Sequence, residues 1–398
     1  MMLLLLNIVM VILNLYSRKN TLLPFGSKVL ATLLLFSLPL SAEILPFFNP
    51  LKKLSEKTVK LEVQGFMADD PVSLKDFFDD WEGEYSPRNG DNAAMEMARI
   101  DLGIRIDGGY YVGYFYQRDA IVRSNRGFVD GYHAVKNKLH FSSEQYYDLT
   151  LGIEGIERHG GVIAKDFVLY DTDEHHIQIA GAAFLSYDVD TQSGNLTGKG
   201  RIHTDDTYSA TGRADYHFMD NLLYDGWDVD ETYGIGYGFH VGLLYENSVY
   251  NFKIELLVND LFSRTHWKNL PHSLVDVQTN NQTIGDDGYV EYDPTISGWE
   301  TYKNFTQNIS PKYHADISKQ FDAGYEVEVG LDSVDFVHMP YICLAKIFDE
   351  KKVEILYEHR FHSVGLSYTD ENIHLSILSN GFSNASAIGI SGSYIYHF

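Results

Sequence analysis

Ala387-Ile388-Gly389-Ile390-Ser391-Gly392-Ser393-Tyr394-Ile395-Tyr396-His397-Phe398 is the stretch that decides the fold. Ile388, Ile390, Tyr394, Tyr396 and Phe398 fall on one face of it, and the other is small or polar but for Ile395. Side chains that alternate with period two belong to a strand with one apolar face. The same pattern runs through the body of the chain. Tyr233, Ile235, Tyr237, Phe239, Val241 and Leu243 alternate with Gly234, Gly236, Gly238, His240 and Gly242. Ile100, Leu102, Ile104 and Ile106 alternate with Asp101, Gly103 and Arg105, and Tyr325, Val327, Val329 and Leu331 with Glu326, Glu328 and Gly330. Tyr147 to Ile153 and the shorter runs at 353–357, 364–368 and 373–377 repeat it.

Turn chemistry separates these runs. Asp107-Gly108-Gly109, Asp130-Gly131, Ser193-Gly194, Asp287-Gly288, Asp349-Glu350-Lys351 and Thr369-Asp370-Glu371 all read as hairpin turns. The best helix lies over Ser73 to Trp81 with Ser73 as N-cap, an ordered loop being the alternative. Ser263 to Gly288 shows no assignable pattern. The fold class is all-β, and a soluble sandwich and a membrane barrel both fit alternating strands. Mid-strand charges on the non-apolar face suit a barrel, where that face lines a polar lumen and the other meets lipid.

The closing stretch resembles the C-terminal strand of bacterial outer-membrane barrels, with Tyr394, Tyr396 and Phe398 as the aromatic signal read by the barrel-assembly machinery. Gly392 departs from that pattern, where a bulkier residue is common. Trp81-Glu82-Gly83-Glu84-Tyr85-Ser86-Pro87-Arg88 and Asn259-Asp260-Leu261-Phe262 also resemble segments of uncharacterised barrels of this kind. The resemblance implies a transmembrane antiparallel β-barrel of roughly 14 strands, within about 12 to 16. Lipid offers no hydrogen bonds, so such a sheet must close on itself. The expected first strand is near Val59 to Gly65, paired with the last.

Basic Arg18, Lys19 and Lys28, the apolar run Val29 to Leu40, and Ser41-Ala42 read as a secretory leader over 1–42. Met1 to Tyr16 is a second apolar run, read as an over-long start or as a short anchor. The barrel is expected over 43–398, with 68–94 a loop or partial plug. The place is then the outer membrane of a Gram-negative bacterium, and the partners are the lipid bilayer, lipopolysaccharide and the assembly machinery. A formal net charge of -24 repels nucleic acid. The single cysteine, Cys343, excludes an internal disulfide and a cysteine-based zinc site.

Candidate lumen-lining residues are Asp101, Arg105, Asp148, Asp215, Glu255, Glu326, Glu328 and Glu354. Together with Glu62, Glu154 and Asp332, the acids outnumber Lys60, Arg105, Arg213 and Lys253. Acidic rings favour cations, so the expected function is a channel or transporter for small polar solutes with a cation bias. A non-conducting structural or surface-display barrel is the alternative, and an outer-membrane hydrolase a third. The polar clusters Asp171-Asp173-Glu174-His175-His176 and Asp225-Asp228-Asp230-Glu231 read as solvated acidic loops, since neither matches a calcium-loop spacing. His217 near Asp215, His240 and His374 form no legible triad, and no Gly-x-Ser-x-Gly elbow is present. No catalytic residue, metal or cofactor is expected. An open lumen and a plugged one, its charges paired with each other, both fit the sequence.

Overall fold

The computed structural model describes residues 44–51, 57–79, 81–106, 108–205, 207–219, 232–278, 282–284, 290–292, 296–349 and 351–398. The leader expected over 1–42, Asp287-Gly288 and the Asp225 to Glu231 cluster lie outside them.

The chain runs β1 (Thr58–Asp69), α1 (Leu74–Phe78), β2 (Asn92–Ile106), β3 (Tyr110–Ser124), α2 (Arg126–Lys136), β4 (Gln145–Asp171) and β5 (His175–Ile202). It continues through β6 (Tyr208–Phe218), β7 (Gly234–Asn247), β8 (Phe252–Gln278), the small hairpin β9 (Gln282–Ile284) and β10 (Val290–Tyr292), and β11 (Ile296–Asn308). It ends with β12 (Lys312–Phe321), β13 (Tyr325–Val334), β14 (Val337–Phe348), β15 (Lys351–Glu358), β16 (Ser363–Thr369), β17 (Ile373–Ser379) and β18 (Ala387–His397).

Antiparallel pairing links β1-β2-β3-β4-β5-β7-β8-β12-β13-β14-β15-β16-β17-β18 and returns to β1, which closes a ring of 14 strands. The seam joins the strands expected to meet: Leu61 lies opposite Tyr394, Val59 opposite Tyr396 and Val63 opposite Gly392. Closure leaves no edge in the ring, the condition lipid imposes. No described helix is long and apolar enough to cross a membrane.

The outward face of the ring is an apolar belt. Leu102, Tyr114, Ile163, Leu185, Ile235, Val329, Ile355 and Leu366 are all exposed there. A soluble sandwich would bury this face, whereas a barrel in lipid presents it. Val327 and Val329 point outward and Glu328 inward. Arg in place of Val329 is therefore expected to cost about 2–4 kcal/mol, against about 0–1 for Phe321→Arg at the rim. Urea unfolding in lipid vesicles checks this, and equal costs would refute a lipid-facing belt.

One end of the ring carries the start of β1, the end of β18 and short connections after β2, β4, β7, β12, β14 and β16. The long excursions leave the other end, here the loop end. There β4, β5 and β8 rise beyond the ring, and β6 and β11 pair with the upper part of β8 as an extension sheet. Helices α1 and α2 pack on the outward face of β3, β4 and β5, through Phe77, Phe128, Val129 and Tyr132 against Val122, Leu149, Leu151 and Leu196.

The structure departs from the sequence pattern at several places. Asp130-Gly131 is not a turn but lies within α2, whose N-cap Asn125 accepts from the Phe128 amide at 2.9 Å. Phe128, Val129, Tyr132 and Val135 fall on one helical stripe, a period hidden among strands. Ser193-Gly194 lies inside β5. Ser263 onward continues β8, where Asp260, Phe262 and Asn269 adopt positive φ and the pairing with β7 slips. Each bulge adds a residue and reverses which side chains face inward, which erases the alternation. The helix after Ser73 does form, shorter than expected, with Ser73 Oγ accepting from the Asp76 amide.

Candidate functional site

The lumen is filled. Residues 44–51 run through its interior as an irregular strap, with Ile44 toward the loop end and Leu51 further toward the turn end. Phe47 is 0% exposed, and Ile44, Leu45, Phe48 and Leu51 are buried. Proline at 46 and 50 keeps the strap out of regular structure. It cannot join the wall sheet, since every ring strand already has two neighbours. Side chains of the wall therefore satisfy its backbone.

Asp332 Oδ2 accepts from the amides of Ile44 at 2.8 Å and Leu45 at 3.1 Å. Asn259 accepts from the Phe48 amide at 2.7 Å and donates to the Phe48 carbonyl at 2.9 Å. Lys312 Nζ donates to the Pro46 carbonyl at 3.4 Å, and Asn49 donates to Glu255 at 2.6 Å. Glycine on β7 makes the room: a Cβ on Gly242 would stand 2.6 Å from the Leu51 side chain. At the loop end, Ile44, Leu45 and Phe47 join Phe66, Met95, Met97, Val334, Met339, Leu356 and Phe361 in one buried apolar cluster.

The bulge in β8 turns two successive side chains inward. Asn259 holds the strap, and Asp260 beside it holds the wall's cations. Asp260 pairs with Arg158 and lies 3.9 Å from Lys312. Lys312 also pairs with Asp119 at 3.1 Å, and Gln117 donates to Asp119 and Asp260. Around this centre sit Lys60–Glu62 at 2.5 Å, Arg99–Asp101 at 2.6 Å, Lys253–Glu255 at 2.6 Å and Lys352–Glu354 at 2.5 Å. His314 lies between Asp332 at 2.6 Å and Asp316 at 3.0 Å. Buried charges need such partners, because an unpaired ion loses its solvation without return.

Of the eight lumen candidates, Asp101, Glu255, Glu328 and Glu354 are buried inside the ring. Arg105 and Glu326 face inward near the turn end, paired with Asp166 and Lys352. Asp148 and Asp215 are not in the lumen. Asp148 is exposed at the start of β4, above the ring. Asp215 is exposed on β6, outside the ring, and pairs with His272 at 2.8 Å. Arg213, also counted to the lumen, stands on β6 beside Asp276. Alternation reports a face and not a height, so strands that outrun the ring carry the same pattern into water.

The histidines do not assemble a catalytic set. His217 stacks on Phe305 at 3.9 Å between ring centres, and burial, then the neighbouring His272, hold its pKa down to about 4. His240 is buried in the lumen beside Phe48 and Phe184, and His374 faces inward on β17 and bonds Thr369. Asp171 to His176 forms the β4–β5 turn, with His176 on Asp171 and His175 on Tyr245. Among the described residues, no group of three or more His, Cys, Asp or Glu is placed to hold a metal ion. The 68–94 stretch carries α1 on the outer wall, and the chain inside the lumen is the strap. Sequence reading missed the strap because eight irregular residues carry no periodic signal.

The strand ring, its apolar belt and its strap-filled interior define a class: a closed 14-stranded membrane β-barrel with an occupied lumen. No protein-family model matches the chain, and no curated protein matches it. Among solved structures it is similar to one described as "TodX deltaS2S3 mutant monoaromatic hydrocarbon channel", at 12% identity and TM-score 0.43 over 87% of this chain and 91% of that one. It is also similar to the Ralstonia pickettii toluene transporter TbuX, at 7% and 0.31 over 87% and 90%. A third is a Pseudomonas aeruginosa FadL homologue, at 9% and 0.23 over 87% and 91%. Likenesses this distant bear on neither the site nor the solute.

Proposed function

We propose that this chain is an outer-membrane channel, closed at rest by its own residues 44–51 and opened when that strap leaves the lumen. One observation carries the reading. The strap is held to the wall by side chains of Asp332, Asn259 and Lys312, not by sheet hydrogen bonds. It can therefore depart without breaking a strand pairing. A purely structural barrel has no need of a lumen lined with ion pairs, since packed apolar side chains serve stability as well or better.

Deleting residues 43–51 is the test, with conductance recorded in planar bilayers. The intact protein should open rarely, and the deletion should raise mean conductance about tenfold or more. A deletion variant that still shows heat-modifiable mobility, and so is folded, yet stays silent would favour the non-conducting barrel.

The acidic surplus inside supports small polar solutes with cations preferred. In the deletion variant, the reversal potential in a potassium chloride gradient should then take the cation-selective sign. A second reading rests on Phe48. Its ring lies 5.6 Å from Tyr111 and 5.2 Å from His240, with the Arg99 guanidinium 5.3 Å above it and Phe115 and Phe184 behind. A strap that withdraws would leave a seat fitted to a small aromatic ring. Saturable binding of p-cresol by the deletion variant, with no charge selectivity, would favour this second reading.

A further inference from the structure

Two turn-end hairpins carry the same construction. Gly108-Gly109-Tyr110 leads from the β2–β3 turn into β3, and Asp322-Ala323-Gly324-Tyr325 joins β12 to β13. In each, the last two turn residues are left-handed: Gly108 and Gly109 at φ 82° and 77°, Ala323 and Gly324 at 62° and 74°. The tyrosine that follows opens the next strand and points outward. Opposite it on the neighbouring strand stands a lysine, Lys165 facing Tyr110 and Lys346 facing Tyr325. Two residues further along are Phe167 and Phe348.

The contacts repeat as well. Lys165 Nζ lies 4.0 Å from the centre of the Tyr110 ring and 5.7 Å from that of Phe167. Lys346 Nζ lies 4.2 Å from Tyr325 and 5.5 Å from Phe348. Each ammonium donates to the turn's own carbonyl, Lys165 to Gly108 and Lys346 to Ala323. Beside the first, Asp166 is taken up by Arg105. Among the described residues, no carboxylate pairs with either lysine. Beside the second, Lys319 also points outward on β12, 5.8 Å from the Phe321 ring. By the ring order, the two constructions stand on nearly opposite sides of the barrel.

A turn cap explains one hydrogen bond of each lysine and leaves its remaining donors and its charge. Both ammoniums sit on the outward face, where the apolar belt ends, each between exposed aromatic rings. Outward cations at this height, on a chain of net charge -24, face whatever lies at the membrane's edge. We propose that Lys165 with Tyr110 and Phe167, and Lys346 with Tyr325 and Phe348, are two seats for the phosphate headgroup of an anionic membrane phospholipid. The ammonium meets the phosphate, and the rings flank the glycerol and the first acyl carbons. The proposal rests on the membrane reading above.

Native mass spectrometry of the full-length barrel, titrated with phosphatidylglycerol or phosphatidylcholine, tests it. The intact protein should retain up to two phosphatidylglycerol molecules, about fivefold more than phosphatidylcholine, the weight of one lysine charge at a membrane surface. Lys165→Gln and Lys346→Gln should each remove one, the double variant both, and Lys199→Gln in the extension sheet none. Unchanged occupancy in the double variant would overturn the proposal. So would equal retention of the two lipids by the intact protein, a measurement that needs no variant to fold. A chain that does not insert into vesicles at all refutes the membrane reading. One that inserts without lysine-dependent selectivity refutes the seats alone.

Discussion

Asp260→Ala is expected to destabilise the barrel by about 3–5 kcal/mol, the cost of stranding a buried charge by removing its partner. Asp260 is fully buried, and its carboxylate answers both Arg158 and Lys312. Its removal leaves Arg158, itself 0% exposed, without its ion-pair partner. Gln117 also loses an acceptor. Truncating both charges, Asp260→Leu with Arg158→Met, should return at least half the loss, because no stranded ion remains. Chemical unfolding in vesicles measures both. A cost below about 1 kcal/mol for the single variant would mean that water reaches this centre and solvates the stranded charge.

Changing Tyr396 and Phe398 to Ser, or deleting Phe398, is expected to abolish accumulation of the folded barrel. Tyr394 and Tyr396 stand outward on β18, which pairs with β1 from Ala387 to His397, and the exposed Phe398 follows directly. The Phe398 amide adds a bond to the Lys57 carbonyl at 3.1 Å, the last of the seam. Until that seam forms, the facing edges of β1 and β18 expose their backbone groups to lipid, at several kcal/mol for each unsatisfied group. The readout is loss of heat-modifiable, protease-resistant protein from the outer membrane. A change in a surface loop, such as Ser142→Ala, should leave it intact. Normal folding of the Phe398 deletion would show that closure does not depend on this end.

Much of the fold was legible in the sequence. Alternation over Ile100 to Ile106, Tyr233 to Leu243 and Tyr325 to Leu331 names the outward face residue by residue, because side-chain direction in a strand is set by neighbours in sequence alone. The pairing of Val59 to Gly65 with the closing strand followed from the same logic, since a sheet in lipid must join its ends. What sequence could not supply is everything that depends on distant parts of the ring. Asp148 and Asp215 carry the right parity at the wrong height, because height depends on how far each strand outruns its neighbours. Asn259 and Asp260 both face inward only because β8 bulges there against β7. The strap at 44–51 has no periodicity to read. Its place is decided by Asp332, Asn259 and Lys312, which lie far along the chain and converge on it only once the ring has closed.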